Sequence, residues 1–472
     1  MLAAVVLAVH ADPGTRDSVQ WTPDELARDA GGTLIRSTDR AIQGVFIDSR
    51  SPLAGGLFVP IVAARDGHDF IPAALEGGAA ATLVQRGHEV PAGTTAVIEV
   101  ADTQEALTRL ATARCAAFEG PVVTISGSNG KTTTRAMIAG VLDASMPSVL
   151  CTQGNLNNHL GVPLTVLGKP HAPDAMVVEL GMSAPGENDA LAAIAQPQIH
   201  VITSVALEHL EFMKSIEAIA AAEAEPIERV RPGGCIVAPA DETLLRPHLD
   251  RARADVMTFG NADDCDVQIL DVSVGARTRA TVRVGPHAPI ELDLPLFGAH
   301  NARNAAAALA VGHRLGLSLE ASVQALATVR PVGDRGRAIE WGEHLLIADC
   351  YNANPGSVEV ALGSLARLAC PGPKIAVLGD MLELGPTQEQ LHADAGALAA
   401  RLGIDAVFGF GPLSRHTVEA ARDGGVRAEH FDSIVDLAGA LRATLAGAEA
   451  GAALLKGSRG MKLEQTINAL GL

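Results

Sequence analysis

The segment from Val122 to Thr134 constrains this chain more than any other. Val122-Val123-Thr124-Ile125-Ser126 is apolar and β-branched enough for a strand buried on both faces. It runs directly into Gly127-Ser128-Asn129-Gly130-Lys131-Thr132-Thr133-Thr134, a glycine-rich turn that opens a helix. The glycines let backbone amides approach phosphate oxygens, the helix N-terminus adds partial positive charge, Lys131 adds a full one, and Thr132 offers a hydroxyl to magnesium. The spacing departs from the common GxxxxGK[ST] pattern, since Ile125 stands at the first glycine position. Strand, turn and helix together still predict a cradle for a nucleoside triphosphate, contacted from Gly127 through Ser128, Asn129, Gly130, Lys131, Thr132 and Thr133. Magnesium at such a cradle needs further ligands from neighbouring strand ends. Glu179, closing a strand over 176 to 180, and His209, following one over 201 to 204, are the expected ones. A lone histidine beside leucine is more often structural; the place of His209 after a strand of the same sheet argues for a ligand.

Around this motif the chain alternates buried strands with helices, the mark of a parallel, doubly wound α/β sheet with ligands at the carboxyl ends of its strands. Residues 40 to 100 read as a small α/β unit, and Gly120-Pro121 as its boundary. From 256 to 296 alternating strands predict an antiparallel appendage, followed by an Ala-rich helix over 301 to 315. A second alternating run after Pro331 predicts a Rossmann-like unit. The expectation is a three-domain α/β enzyme divided as 1–119, 120–330 and 331–472, in keeping with the length of 472 residues.

Composition narrows the function. A hydrophobic share of 48% argues against disorder, and aromatics at 3% leave few stacking platforms for bases. A formal charge of -18 without any basic cluster excludes a nucleic-acid backbone as partner and requires a locally positive pocket for an anionic ligand. Six scattered cysteines form neither a zinc pattern nor a disulfide scaffold, so reduced thiols in the cytoplasm are expected. The apolar opening, Met1 to Val9, is too short to span a membrane and lacks a positive flank, and reads as an N-terminal extension.

The loop Ser126 to Thr134 resembles the TGTNGKTTT-like motif of the Mur ligase family, with serine for two threonines. Further matches run along the chain: Asp48-Ser49-Arg50, Asp66-Gly67-His68-Asp69-Phe70, Thr152 to Pro163, His300-Asn301-Ala302-Arg303-Asn304, Asp349 to Ser357, Leu378 to Gly385, and Lys456-Gly457-Ser458-Arg459. The stretches at 152, 349 and 378 are similar to family members that attach a dipeptide. The resemblance implies that ATP phosphorylates the terminal carboxylate of UDP-N-acetylmuramoyl-tripeptide, and that the amine of D-alanyl-D-alanine attacks the acyl phosphate. It implies Thr132, Glu179 and His209 on magnesium, with Lys131, Glu179 and His209 as the catalytic set. Asn301 and Asn304 would lie by the nucleotide, Arg337 by its phosphates and Asp349 by its ribose. Ser49 and Arg50 would hold the UDP end, Asn155 and Asn157 the acceptor or metal side, and Asn352, Asn354, Lys456 and Ser458 would line the closing third domain. Bland roles compete: each asparagine is also a ready turn or cap residue, Asn301 a helix N-cap, and His68 and His392 read as structural. A monomer is expected, with no membrane partner.

One departure bears on chemistry. Family members usually carry, after the metal histidine, a lysine carbamylated to hold a second magnesium; here Glu223 stands there and offers a carboxylate directly on a shorter stem, or serves only as a solvated helix charge. Pro239, Gly56 and Ala348 are milder departures.

Overall fold

The computed structural model describes residues 20–168 and 173–472; the apolar opening stretch lies outside them. Three sheets, each with its own helices, make up an α/β architecture of three domains.

The central sheet positions the phosphate loop. In spatial order its strands are Ile290–Leu294, Thr278–Val284, Val267–Val274, Asp255–Gly260, Cys235–Pro239, Ile199–Ile202, Val122–Ser126, Ala175–Glu179 and Val149–Cys151. Val122–Ser126 lies between parallel partners, with Ile125 beside Glu179 on one side and Val201 on the other. All five of its residues are buried, as are all those of Ala175–Glu179 and Ile199–Ile202, which explains why these strands read as unbroken apolar runs rather than alternating ones. The chain leaves Val122–Ser126 in both directions across the sheet, so its carboxyl end is a topological switch point, where doubly wound sheets bind ligands.

The region from 255 to 294 corrects an expectation. Asp255–Gly260 pairs in parallel with both Cys235–Pro239 and Val267–Val274, and only the last three strands are antiparallel. The helix His300–Arg314 covers these strands and packs on the phosphate-loop helix Lys131–Asp143. Its buried run Ala305 to Ala308 brings backbone close to backbone, so small side chains replace bulk with proximity.

The first sheet is parallel except for Thr33–Arg36, which runs against Ala96–Val100. The third runs Arg337–Trp341, His344–Asp349, Ala452–Lys456, Lys374–Gly379, Ala406–Phe410 and Arg427–Phe431, with only the first strand antiparallel. Its central strands end in register, Asp349 beside Lys456 and Lys456 beside Leu378, so the motifs that follow them share one edge. Among the described residues no helix is long and apolar enough to cross a membrane.

Beneath the phosphate loop lies His200, fully buried on Ile199–Ile202. The Ser126 hydroxyl donates to the Glu223 carbonyl at 2.9 Å and therefore accepts from His200 Nε2 at 3.2 Å. Thr124 Oγ1 donates to Nδ1 at 2.8 Å. One ring proton satisfies both bonds, and burial pushes the imidazole down to about 3 from an ordinary 6.5. Between those values the unfolded chain binds a proton that the folded chain refuses, so stability falls as pH drops below about 6.5, by up to roughly 1.4 kcal/mol per pH unit. Urea unfolding from pH 7 to pH 5 should show a steeper loss for the wild type than for His200→Asn; equal slopes would remove His200 as the cause.

Candidate active site

Gly127 and Gly130 adopt φ of 117° and 85°, a region closed to most side chains. Space is equally restrictive: a Cβ on Gly127 would collide with Thr203 Oγ1, and one on Gly130 would lie 2.6 Å from Asn304 Oδ1. Asn304 thereby abuts the loop. Three loop amides are already engaged. Gly127 N donates to Glu223 Oε2 at 2.7 Å, Ser128 N to the Ser204 carbonyl at 2.9 Å, and Asn129 N to Ser204 Oγ at 3.1 Å. The amides that open the helix from Lys131, which has no side-chain cap, carry the remaining donor capacity.

Lys131 folds back so that Nζ donates to the Gly127 carbonyl, with the Ser128 carbonyl at 3.4 Å. Burial disfavours its charge, but the carboxylates of Glu208, Glu223 and Glu179 outweigh that effect and hold its pKa above the usual lysine value. The ammonium is therefore maintained inside the protein.

Glu179 Oε1 accepts from Thr132 Oγ1 at 3.2 Å and from Asn157 Nδ2 at 3.0 Å. Arg135 Nη1 stands 3.2 Å from Oε2, an ion pair between buried side chains, yet Oε2 receives no hydrogen bond. A buried carboxylate oxygen without a hydrogen bond, beside a threonine hydroxyl, is a hard donor set suited to magnesium. Arg135 escaped the sequence reading; its place one turn after Thr132 on the same helix was the available signal.

Glu223 is 1% exposed, so the solvated-charge alternative does not hold. Oε2 takes the Gly127 amide and Asn188 Nδ2, at 3.1 Å, while Oε1 is buried without a partner. Glu208 was also missed. Burial pushes its carboxyl up to about 8, against the pull of Lys131 and with a further push from Glu223. Next to it His209 adopts φ of 49°, with Nδ1 2.7 Å from Glu383 Oε2 and Nε2 3.9 Å from Glu208 Oε2.

The third domain meets this loop edge to edge. Asn354 Nδ2 donates to Asn129 Oδ1 at 3.0 Å and Asn129 Nδ2 returns a bond to Asn354 Oδ1 at 3.2 Å. Asn354 is at the same time the N-cap of the helix Pro355–Arg367, so cap and bridge coexist. Lys456 is buried, pairs with Asp349 Oδ2 at 3.0 Å and donates to the Asn352 carbonyl at 2.8 Å. Ser458 Oγ donates to the Ala353 carbonyl at 3.3 Å and accepts from the Leu382 amide at 3.0 Å.

One expectation needs correcting. Asn301 is not an N-cap: Ala299 occupies that position without a side-chain bond, and buried Asn301 binds the Phe297 carbonyl at 2.9 Å and accepts from Asn304 Nδ2 at 3.1 Å. Arg337 belongs to the edge strand and is bound to Asp334 at 2.9 Å. Arg335 instead stacks on Tyr351 at 3.8 Å and lies in the field of Glu179 and Asp349. Farther off, Arg50 is exposed and forks onto Asp48 at 2.9 and 2.7 Å beside half-buried Ser49. Asn155 is exposed, with its carbonyl accepting from the Asn157 amide at 2.8 Å.

Fold and site together define a nucleotide-binding ligase scaffold of three parts, and each part has a counterpart. The descriptions "Mur ligase family, catalytic domain", "Mur ligase middle domain" and "Mur ligase, glutamate ligase domain" match residues 41–114, 125–312 and 334–459. The chain belongs to the Mur ligase family. It is 36% identical over 467 residues to the UDP-N-acetylmuramoyl-tripeptide--D-alanyl-D-alanine ligase of Bacillus subtilis (strain 168), covering 96% of this chain and 98% of that protein. Among solved structures it superposes on MurF from Acinetobacter baumannii with a TM-score of 0.86 at 28% identity, over 96% and 99% of the two chains. MurF of Thermotoga maritima in complex with ADP gives 0.80 at 27%, over 91% and 97%.

Gly127→Ala should destabilise the protein by roughly 2 kcal/mol and abolish nucleotide binding, because φ and space both forbid the methyl group. Gly154→Ala, also at positive φ but with nothing within 4 Å, should cost less and spare binding. Urea midpoints and nucleotide titration of the two variants measure the contrast.

Proposed function

We propose that this chain is an ATP- and magnesium-dependent ligase that joins D-alanyl-D-alanine to UDP-N-acetylmuramoyl-tripeptide in peptidoglycan precursor synthesis. The observation that carries the reading is a charged, half-buried Lys131 in the field of a Glu179 carboxylate whose Oε2 receives no hydrogen bond, at the carboxyl end of a strand that opens into a phosphate loop. The near full-length likeness to dipeptide-adding relatives supplies the substrates.

In this reading domains 1–119, 120–330 and 331–472 hold the UDP end, the triphosphate and the incoming amine. With the Gly127, Ser128 and Asn129 amides committed to protein acceptors, the phosphates rest on the amides from Lys131 to Thr133, with Asn304 against the loop. Lys131 turns from its carbonyl partners to the transferring phosphoryl group. Thr132, Glu179, His209 and the unpartnered oxygen of Glu223 are the residues that would hold magnesium, which supplies charge neutralisation on the phosphates when bound. The acceptor carboxylate attacks the γ-phosphorus, ADP leaves, and the dipeptide amine then displaces phosphate from the acyl carbon, losing its proton to give the amide. Arg335, held on Tyr351, faces the same field as Lys131 and supports charge in either step. Asn157 orients Glu179, Asp349 serves the ribose, and the edge bearing Asn352, Asn354, Lys456 and Ser458 closes the site. The buried free thiols of Cys115, Cys235 and Cys350 support a reducing, cytoplasmic setting, and the protein acts as a monomer.

Phosphate release from ATP should require the UDP-linked tripeptide and D-alanyl-D-alanine together, with a product heavier by one dipeptide. Release that ignores the amine would overturn the assignment in favour of a hydrolase. Glu223→Gln should raise the magnesium concentration for half-activity about tenfold, while the wild type gains nothing from bicarbonate; an unchanged magnesium profile would sink the ligand role of Glu223.

A further inference from the structure

We infer that Glu383 is a positioning residue for His209, and that the third domain thereby sets the metal affinity of the second. The inference rests on the reading of His209 as a magnesium ligand.

A carboxylate facing an imidazole nitrogen at 2.7 Å accepts a hydrogen bond from it, so His209 Nδ1 carries the hydrogen and Nε2 keeps its lone pair. This is the arrangement by which proteins orient metal-bound histidines, with the carboxylate fixing the tautomer and the plane of the ring. Here the orienting carboxylate comes from a different domain. Glu383 follows the strand Lys374–Gly379 of the third sheet, 174 positions along the chain from His209.

The loop that delivers Glu383 is anchored on its own side. The Met381 amide donates to His392 Nε2 at 2.9 Å and the Leu382 amide to Ser458 Oγ at 3.0 Å. Both bonds precede the carboxylate directly, and a fixed second layer of this kind is what precise positioning requires. Glu383 and His209 both hold left-handed backbone, at φ of 63° and 49°, conformations that persist in non-glycine residues where the surroundings impose them. The contact is buttressed one turn further on. Gly385 lies beside Glu211, where an added Cβ would make ordinary contact at 3.6 Å from its Cα, and the turn Gly385–Thr387 packs on the helix Leu210–Met213.

The linkage is reciprocal. If approach of the third domain orients the histidine for the metal, metal binding must favour that approach by the same factor.

The test is Mn2+ binding to the full-length protein with a non-hydrolysable ATP analogue, followed by electron paramagnetic resonance, with thermal melting recorded alongside. Glu383→Ala should weaken Mn2+ affinity by about 10- to 100-fold, with a melting midpoint close to wild type because the side chain is more than half exposed. Glu383→Gln, whose amide oxygen still accepts from Nδ1, should recover most of the loss. Small-angle scattering should show metal-dependent compaction in the wild type and in Glu383→Gln but not in Glu383→Ala. Wild-type affinity in Glu383→Ala together with weak binding in His209→Ala would overturn the positioning role and leave the ligand assignment intact. Wild-type affinity in His209→Ala would overturn the ligand assignment itself. A glutamine variant as weak as alanine would overturn orientation as the cause.

Discussion

A buried ammonium has to be compensated, and the way Lys131 is compensated organises the site. Desolvation alone would strip its proton, and the fold answers by drawing three carboxylates toward it from three places: the end of Ala175–Glu179, the segment before His209, and the helix Ile216–Ala224. Each carboxylate then needs partners of its own. Glu179 finds Thr132, Asn157 and Arg135, and Glu223 finds the Gly127 amide and Asn188. Glu179 and Glu223 each keep one buried oxygen without a hydrogen bond, and burial raises the proton affinity of Glu208. Buried carboxylate oxygens left without hydrogen bonds are poor design for a resting protein and good design for one that takes up a divalent ion with its anionic ligand.

This network explains why the central sheet tolerates polar groups beneath its most apolar strand. Thr124, Ser126 and His200 form a closed set of hydrogen bonds inside the core, and the Ser126 hydroxyl reaches the Glu223 carbonyl. The loop is thus tied from below through side chains and from above through its amides. A cradle held on both sides keeps its shape without ligand, so that less conformational freedom is lost on binding.

Much of this was legible in the sequence, for identifiable reasons. Strand-loop-helix order and strand ends were enough to expect Lys131, Thr132 and Glu179 at one sheet edge, where the structure brings Thr132 onto Glu179, because in a parallel sheet the residue that closes a buried strand faces the ligand edge. For Asn354 the cap and third-domain readings stood as rivals, and the structure makes it the N-cap of Pro355–Arg367 while its side chain also bonds Asn129. Failures came where tertiary packing decides. The pairing of Asp255–Gly260 is parallel although its neighbours alternate, since alternation reports a half-exposed face and not strand direction. Arg335 and Arg337 sit two apart, yet Asp334 captures Arg337 while Arg335 stacks on Tyr351. Glu208, Arg135 and Asn188 acquire meaning solely through neighbours distant in sequence, and short edge strands such as Arg427–Phe431 are too polar to announce themselves.

The joint between Asn129 and Asn354 has a further consequence. Each primary amide gives one hydrogen and takes one, so the pair is self-complementary in the manner of a base pair, across 225 positions of chain. It carries no charge, and neither ionic strength nor acidity discriminates against it. An aspartate on either side would set acceptor against acceptor, and an alanine would strand a donor. The two positions are therefore bound to a common alphabet: a lineage that alters one letter must find its answer at the other, or forgo this uncharged joint between the central and third sheets.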